Sequence, residues 1–465
     1  MKQISRRTAL KNAAGWGALS ALPLESLILS QDAELPHFLI QFFFDGGWDT
    51  TYLFDARPLS FTYANKVQNY HGTDPLSWDG SNGQTTLASP IVSPLIPFKE
   101  DFSVLNGVHM AIGFDGHEQN KNALITCNPF GGNAYFPFIN EAATTPAPLD
   151  FLKIGGFYGL EISNAMASVN LNADGLADFS KTVKTFDANL ENAPDMQFAT
   201  RRIAHLASGS GLLSHGASLM ASGIQQSRFL FHRLRNADPR FEDGDSEIIK
   251  SLKATHQYFK HGLTKSAFID VSTDNLDTHG SREASEQPAI YAKVVASIAE
   301  IFGFLKSTPY QDNGQLSLLD VTTVIIGSEF GRTTRQMGKP INDTGTDHNP
   351  LANTVLIGGK GVIGGYVIGA TDLDTIEPNG DYRDVTGAHR IMDPLLIKAM
   401  GKPFNFNTMS PSLDNPESYT GEHYITIASV LNTVLRIFNV STQKYWPNQR
   451  NGPSARVLQG LLRSR

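Results

Sequence analysis

The stretch from Pro36 to Thr51 reads PHFLIQFFFDGGWDTT, and it decides the fold class. Its first nine residues are mostly apolar, as in a strand that is buried on both faces of a parallel sheet. The residues at 45–47, DGG, then end the apolar run at a turn. The stretch therefore predicts a buried central strand whose carboxyl end carries acidic side chains.

Other apolar runs along the chain predict further strands of the same sheet, separated by segments with helical spacing. This alternation indicates an α/β fold, with a doubly wound, mostly parallel sheet flanked by helices. The predicted strands are Phe102–Val108, Ala267–Ser272, Val321–Gly327 and Thr354–Ile357, and the predicted helices are Ser285–Leu305 and Tyr424–Phe438.

One long segment differs from the rest of the chain. Residues from about Gln197 to Gly262 are largely helical in pattern and carry charged faces, so we interpret them as a helical insertion or cap. Segments rich in Pro, Gly, Asn and Ser at 70–97 and 403–421 are predicted to be loops. The expected organisation is a single domain at 36–465 with that insertion.

Composition narrows the class of protein. The chain has 465 residues, of which 41% are hydrophobic, so it can bury a large core. Its formal charge is -7, from 38 basic and 45 acidic residues without long runs, which argues against nucleic acid as a partner. The single cysteine, Cys127, cannot form an internal disulfide.

The amino terminus has the features of an export signal. SRRTALK at 5–11, followed by the modestly apolar run Ala13–Leu24, resembles a twin-arginine signal; the alternative is an ordinary basic terminus. Such signals direct folded proteins to the Tat export machinery. We therefore expect a signal peptide at 1–30, processing between Pro23 and Pro36, and a periplasmic or extracellular location. No window is expected to span a membrane in the mature protein.

Acidic and imidazole side chains follow several predicted strands. Because open sheets bind ligands at the carboxyl ends of their strands, these side chains are expected to lie together. Carboxylates and imidazoles are ligands of divalent metals, so together they predict a metal-dependent hydrolase site. The four segments contain Asp45 and Asp49; Asp115, His117, Glu118 and Lys121; Asp277 and His279; and Glu329, Arg332, Asp347 and His348.

Each segment alone has a simpler interpretation. Asp277 could cap a turn, Glu329 and Arg332 could form an ion pair, and His117 could be solvated in a polar loop. Asp347 and His348 could be turn residues before Pro350. Their common position after predicted strands favours the functional interpretation.

Nucleotide-binding and serine-hydrolase motifs are rejected. GKGVIG at 359–364 fits the pattern G-x-G-x-x-G, but the next residues look extended, whereas a dinucleotide site needs a helix. We expect a glycine-rich hairpin there. Gly361 stands where a P-loop needs Ser or Thr, and ASGSG at 207–211 lacks the spacing of a nucleophile elbow.

A family resemblance follows from the order of these motifs. The twin-arginine signal, Gly46-Gly47-x-Asp49, DTH at 277–279, SEFGRT at 328–333, DH at 347–348 and a following glycine-rich stretch resemble the Tat-exported domain of unknown function 1501. The resemblance covers nearly the whole chain after residue 36. That family is similar to the alkaline phosphatase and sulfatase superfamily, which implies a doubly wound sheet with a metal-dependent site for phosphate or sulfate esters.

Two positions depart from the superfamily pattern. In the register of the sulfatase nucleophile segment, this chain has His117 at the nucleophile position. Where the superfamily shows a metal-binding Asp-His pair, this chain has Glu329-Phe330. A hydroxyl or formylglycine nucleophile is therefore not carried over, and Thr50 or Thr51 is an alternative nucleophile.

The resulting hypothesis is an exported metal-dependent hydrolase of sulfate or phosphate esters. Extracellular polysaccharide is one substrate that fits this hypothesis. Zinc, calcium or manganese could be the metal. The rival hypothesis is a noncatalytic envelope or matrix protein that keeps the fold. In the first hypothesis Arg332 and Lys121 bind the anion and His117 is a ligand, a nucleophile or an acid, while the metal ligands are Asp49, Asp277, His279, Glu329 and His348.

Overall fold

Eight strands form one sheet around the segment that opens the sequence argument. The structure is a computed structural model, and it describes residues 35–57, 74–110, 116–156, 168–175, 236–271, 276–279, 281–312, 314–333, 346–372, 400–412, 422–441 and 455–463, with a few short segments between them. The strands are Phe38–Phe43 (β1), Phe102–Val108 (β2), Phe151–Ile154 (β3), Ser168–Leu171 (β4), Ser266–Asp270 (β5), Thr322–Gly327 (β6), Asn353–Gly359 (β7) and Val367–Ile368 (β8).

The strand order across the sheet is β8-β2-β7-β6-β1-β5-β3-β4. Every neighbouring pair is parallel except the two that include β7. The predicted α/β class with a mostly parallel sheet flanked by helices is therefore confirmed. The five predicted strands are present with ends shifted by at most two residues, whereas β3, β4 and β8 were missed because they are only two to four residues long.

Helices cover both faces of the sheet. In β1, Phe38, Ile40 and Phe42 enter one core cluster, while Leu39 and Phe43 enter the other, as the pleat of a strand buried on both faces requires. Each of these side chains contributes about 1.5–3 kcal/mol through burial. One face is covered by Glu247–Lys260 (α3) and Ser281–Ser307 (α4), and the other by His117–Thr126 (α1), Phe136–Ala142 (α2) and Ile427–Ile437 (α5).

Helix α4 contains the apolar window that was not expected from the sequence. Glu286–Ser307 is long and apolar enough to cross a membrane by length and composition. Its residues Val294, Ile298, Phe302 and Leu305 are fully buried in the core of the protein. The window is therefore accounted for as a core helix.

Shorter elements connect the sheet and the helices. Two predictions about them are wrong: residues 70–97 include a strand pair and most of a 3₁₀ helix, and the glycine-rich segment after β7 is not a hairpin, because β2 lies between β7 and β8. The 3₁₀ helices are Thr50–Tyr52, Pro90–Asp101, Leu319–Val321 and Gln459–Leu461. The two-stranded pairs are Thr62–Tyr63 with Lys66–Val67, Leu76–Asp79 with Thr85–Ala88, Gly331–Arg332 with His348–Asn349, Arg335–Gln336 with Leu396–Ile397, Thr371–Asp372 with Met400–Gly401, Asp381–Arg383 with His389–Ile391, and Phe404–Asn405 with Ser410–Pro411.

Two predictions concern residues outside the described part of the chain. The signal peptide at 1–30 and most of the insertion at 197–262 lie outside the described residues. The described part of the insertion includes helix α3, which begins at Glu247 after a Ser246 cap and packs on α4. Both predictions stay as they are.

Candidate metal site

The turn after β1 is built to let distant segments approach it. Gly46 and Gly47 have φ angles of +111° and +72°, which residues other than glycine rarely adopt. A Cβ on Gly47 would lie 2.1 Å from Cε2 of Phe330, and one on Gly46 would lie 2.8 Å from the backbone nitrogen of Asp277. Two glycines are therefore needed to bring the loops at 277 and 330 against the end of β1.

Three predicted ligand residues meet at this edge. Nε2 of His279 lies 2.9 Å from Oδ1 of Asp277 and 3.1 Å from Nε2 of His348, and the third side of this triangle is 3.7 Å. A tetrahedral zinc ion with bonds of about 2.0–2.1 Å has ligand atoms about 3.3–3.4 Å apart. We call Asp277, His279 and His348 the ligand triangle, because its sides bracket that spacing.

His117 faces the ligand triangle from the start of helix α1. Its Nε2 lies 3.5 Å from Oδ1 of Asp277, and it belongs with the ligand triangle to a group whose possible ligand atoms all lie within 4.8 Å of one another. Its Nδ1 lies 2.7 Å from Oε1 of Glu329. The simpler alternative, in which His117 is solvated in a polar loop, does not hold, because His117 is the first residue of α1 and three quarters of its side chain is buried.

Glu329 is fully buried behind His117. Oε1 accepts a hydrogen bond from the Gly46 backbone nitrogen at 3.0 Å, and Oε2 accepts one from Oγ of Ser328 at 2.7 Å. Burial works against its charge, but the hydrogen bonds from His117 and Ser328 outweigh burial and lower the pKa of Glu329. A buried carboxylate on the far nitrogen of an imidazole is the usual support of a metal-binding or catalytic histidine.

The charges around Asp277 shift its pKa and that of His117 in opposite directions. Partial burial opposes both charged forms, yet Asp277 and Glu329 together raise the pKa of His117 to about 9. Hydrogen bonds with His117, His348 and Arg332 overcome burial and hold the pKa of Asp277 far below its usual range. In the metal-free protein, Asp277 is therefore a carboxylate held by hydrogen bonds with Arg332 and two imidazoles.

Arg332 is buried beside the glycine turn. Its side chain is fully buried, its Nε donates to the Gly47 carbonyl at 3.0 Å, and its Nη2 donates to the Gly46 carbonyl and to Oδ1 of Asp277. Two of the three guanidinium nitrogens therefore serve the turn and the ligand triangle, so Arg332 positions Asp277. Nη1 is buried without a hydrogen-bond partner among the described residues, and the predicted role in anion binding stays a prediction.

Lys121 and two further acids extend the site along the sheet edge. Nζ of Lys121 lies 2.7 Å from Oδ1 of Asp45, and Asp45 forms a second possible metal-holding group with His117 and Glu329. Asp270, the last residue of β5, was missed by the sequence argument. Burial, together with the charge of Asp45, raises the pKa of Asp270 to about 7. Its position at the carboxyl end of a strand was the available signal.

Asp49 lies outside both metal-holding groups. Its carboxylate caps the 3₁₀ helix at 50–52 and accepts hydrogen bonds from the backbone nitrogen and Oγ1 of Thr51, at 2.9 and 2.6 Å. Its backbone nitrogen donates to Oη of Tyr291. Burial raises the pKa of Asp49 to about 6. The structure therefore gives Asp49 a capping role and does not bring it to the ligand triangle.

Phe330, which follows Glu329 in the chain, packs an apolar ring against two histidines of the site. Its ring centroid lies 4.9 Å from that of His117 and 4.5 Å from that of His348, and the side chain is fully buried. The ring packs against both imidazoles and limits how far they can turn. It offers no ligand atom.

Comparisons with known proteins agree with the motif argument over part of the chain. Residues 263–391 match the family described as protein of unknown function (DUF1501). The predicted family resemblance is confirmed in this segment. The segment holds the ligand triangle, Glu329 and Arg332, but not His117 or Lys121.

One solved structure that resembles this chain is a sulfatase. It is the crystal structure of PsFucS1 sulfatase from Pseudoalteromonas sp., with a TM-score of 0.31 and 12% sequence identity. The similarity covers 78% of this chain and 68% of the sulfatase chain. A search of curated proteins finds no match.

Proposed function

We propose that this chain is an exported metal-dependent hydrolase of sulfate or phosphate esters. The observation that carries the proposal is the ligand triangle of Asp277, His279 and His348, with sides of 2.9, 3.1 and 3.7 Å. Three protein ligands and an open position are the usual arrangement of a catalytic zinc site. The twin-arginine pattern at 5–11 supports export to the periplasm or the cell exterior.

The donor set favours zinc or manganese over calcium, because calcium prefers six to eight oxygen ligands. When bound, such an ion would polarise the ester and stabilise the negative charge of the transition state. Arg332 holds Asp277 towards the ion, and the backbone nitrogen of Gly46 holds Glu329 behind His117. An extracellular polysaccharide ester is one substrate consistent with this location.

One observation favours a noncatalytic envelope protein instead. Phe330 packs an apolar ring against His117 and His348, at the sequence position where the superfamily pattern has a metal-binding histidine. Such a protein would keep the metal as a structural element and turn over no ester.

Measuring the metal content distinguishes the hydrolase and the metal-containing envelope protein from a protein that binds no metal. We expect the purified full-length protein to contain close to one equivalent of zinc or manganese by mass spectrometry, and His279→Ala to lose it because one side of the triangle disappears. His423→Ala, at an exposed histidine outside the site, should keep the metal. A metal-free wild type that regains no metal on dialysis, or a His279→Ala variant with full metal content, would exclude the proposed site.

Turnover separates the two metal-containing alternatives. The hydrolase should release p-nitrophenol from an aryl phosphate or sulfate, and dialysis against a chelator should abolish the release until metal is restored. A protein that retains metal but turns over neither ester is the envelope protein.

A further inference from the structure

We propose that a polar cavity at the edge of the sheet opposite the ligand triangle binds a neutral oligosaccharide. The cavity has a volume of about 1060 Å³ and lies between the end of helix α3, the end of helix α4 and the segment 236–242. We call it the helix-end cavity. The inference goes beyond the proposed function, because this site needs no metal and would serve a hydrolase and an envelope protein alike.

The helix-end cavity is remote from the ligand triangle. Phe38, the first residue of β1, stacks on Phe259 near the end of α3 with ring centroids 4.4 Å apart, and its ring lies 5.4 Å from that of Tyr310. The cavity therefore lies at the amino edge of the parallel strands, whereas the ligand triangle lies at their carboxyl edge. Strand β1, with six residues, separates the two edges by about 20 Å. A sugar unit in the cavity thus does not contact the metal site.

The lining of the cavity is almost entirely polar. Eleven of its twelve residues carry polar or charged side chains, and Phe304 is the exception. Sites for drug-sized ligands are usually lined mainly by apolar and aromatic side chains. The helix-end cavity therefore suits a hydrophilic ligand rather than a lipid or an apolar cofactor.

The charges of the lining balance one another. Apart from two histidines, the lining has three basic and three acidic side chains. Nζ of Lys260 lies 2.6 Å from Oδ1 of Asp312. Nζ of Lys253 lies 2.8 Å from a carboxylate oxygen of Asp245 and 3.7 Å from one of Glu242. An anionic ligand would have to compete with these acids for the lysines, so the balance favours an uncharged ligand over a phosphate or a sulfate.

Other polar side chains of the lining are available to a ligand. Arg240, Gln257 and Thr308 have no side-chain hydrogen bond or ion pair among the described residues. Together they offer hydrogen-bond donors and acceptors, and a sugar hydroxyl both donates and accepts. Nε2 of His256 donates to the carbonyl of Tyr310 at 2.9 Å, which fixes this ring in the lining. The cavity therefore presents hydrogen-bonding groups that match a row of hydroxyls.

Phe304 provides the apolar part of the site. Its side chain is partly buried and packs against the hydrophobic core, so the ring is held in place. One face of a sugar ring carries C–H groups, which pack well against an aromatic ring. A peptide is less suitable, because none of the twelve lining residues lies in a strand to which an extended peptide could pair. Hydroxyl groups with one apolar face are the features of an oligosaccharide.

The test is isothermal titration calorimetry of the full-length protein with neutral hexasaccharides of glucose, galactose and mannose. At least one should bind with a Kd of about 0.1–1 mM, because hydrogen bonds to the ligand replace hydrogen bonds to water. Hexagalacturonate, the anionic comparison, should bind about tenfold more weakly or not at all.

A double variant tests the place of binding. Arg240→Ala combined with Gln257→Ala should weaken binding by about tenfold or more. The unfolding midpoint should change little, because alanine is a good helix former and neither side chain has a partner among the described residues. Arg463→Ala, at an exposed arginine outside the cavity, is the matched control and should bind as the wild type does.

The metal site provides a second control. His279→Ala should bind the hexasaccharide as the wild type does, and p-nitrophenyl phosphate should not compete. Loss of binding in His279→Ala, or competition, would place the sugar in the metal site and overturn the inference. It would also be overturned if no neutral hexasaccharide bound, if hexagalacturonate bound more tightly, or if the double variant kept its affinity. None of these results bears on the metal content of the wild type, whereas a metal-free protein that binds the sugar removes the proposed hydrolase alone.

Discussion

Two histidines eight positions apart in the chain follow the same strand into opposite environments. His109 comes directly after β2, is fully buried, and stacks on Tyr424 with ring centroids 4.9 Å apart. Burial lowers its pKa to about 4, whereas carboxylates raise the pKa of His117 to about 9. The difference teaches that a histidine near a strand end becomes part of a site only where carboxylates converge on it. Burial alone makes it a core residue.

The two histidines also affect stability at opposite ends of the pH scale. The folded-state pKa of His117 lies above the ordinary value of 6.5, so its contribution is complete below about pH 6.5 and is lost as pH rises through 9. The folded-state pKa of His109 lies below 6.5, so its contribution is complete above that pH and is lost as pH falls through 4. In the metal-free protein, the stabilising contributions of both histidines are therefore present in full together only near pH 6.5.

The substitution with the largest expected effect on stability is Glu329→Gln, which removes the buried charge beside His117. The substitution keeps the shape but leaves protonated His117 beside a neutral amide, so we expect the free energy of unfolding of the metal-free protein to fall by about 3–4 kcal/mol. Urea unfolding near neutral pH measures it. Glu300→Gln, at a partly exposed acid that accepts a hydrogen bond from Ser246, should cost less than about 1 kcal/mol. Equal effects would mean that the buried charge is not what distinguishes His117.

Gly47→Ala tests the close approach that assembles the site. The new Cβ would meet Phe330, and the φ of +72° would be strained, so we expect a loss of about 2–3 kcal/mol together with weaker metal binding. Gly83→Ala is the matched control, because Gly83 has a φ of +77° and nothing within 4 Å of its Cβ position. It should show the backbone strain alone, about 1 kcal/mol. Equal losses would show that Phe330 moves aside freely.

His109→Gln sharpens the pH argument. In the wild type, protonation of His109 on unfolding should remove about 1–2 kcal/mol of stability between roughly pH 7 and pH 5. The glutamine variant has no such group, so its loss over the same range should be smaller by that amount. Urea unfolding of both proteins at the two pH values measures the difference. Parallel losses would show that the pKa of His109 is not lowered in the folded protein.

More of the fold than of the site could be predicted from the sequence. Long apolar runs fixed β1, β2, β5, β6 and β7 to within two residues, because a strand buried on both faces leaves a strong pattern. The strand order could not be read, since it depends on pairing between segments hundreds of residues apart. For the same reason the segment at 359–364 looked like a hairpin, although β2 separates its two flanking strands.

For the site, the proximity of residues could be predicted from the sequence better than their burial. His279 and His348 were expected together and lie 3.1 Å apart. Arg332 and Asp49 carry charges that suggested contact with substrate or metal, yet both are buried and bonded to backbone groups. The sequence does not show burial at such positions, because a polar residue next to a strand end looks the same whether it faces solvent or supports a turn.

The glycine turn after β1 also determines when the site can form during folding. Gly46 binds Glu329 across 283 positions and Arg332 across 286. Contacts so distant in sequence are slow to close, because the chain must lose the entropy of the whole intervening loop first. A chain still on the ribosome that ended before residue 329 would have β1 with its neighbours β5 and β6, but it would lack Glu329 and Arg332, which hold the glycine turn. The site is therefore among the last parts of the protein to assemble, and the ion could be bound only by a chain that has been synthesised through His348.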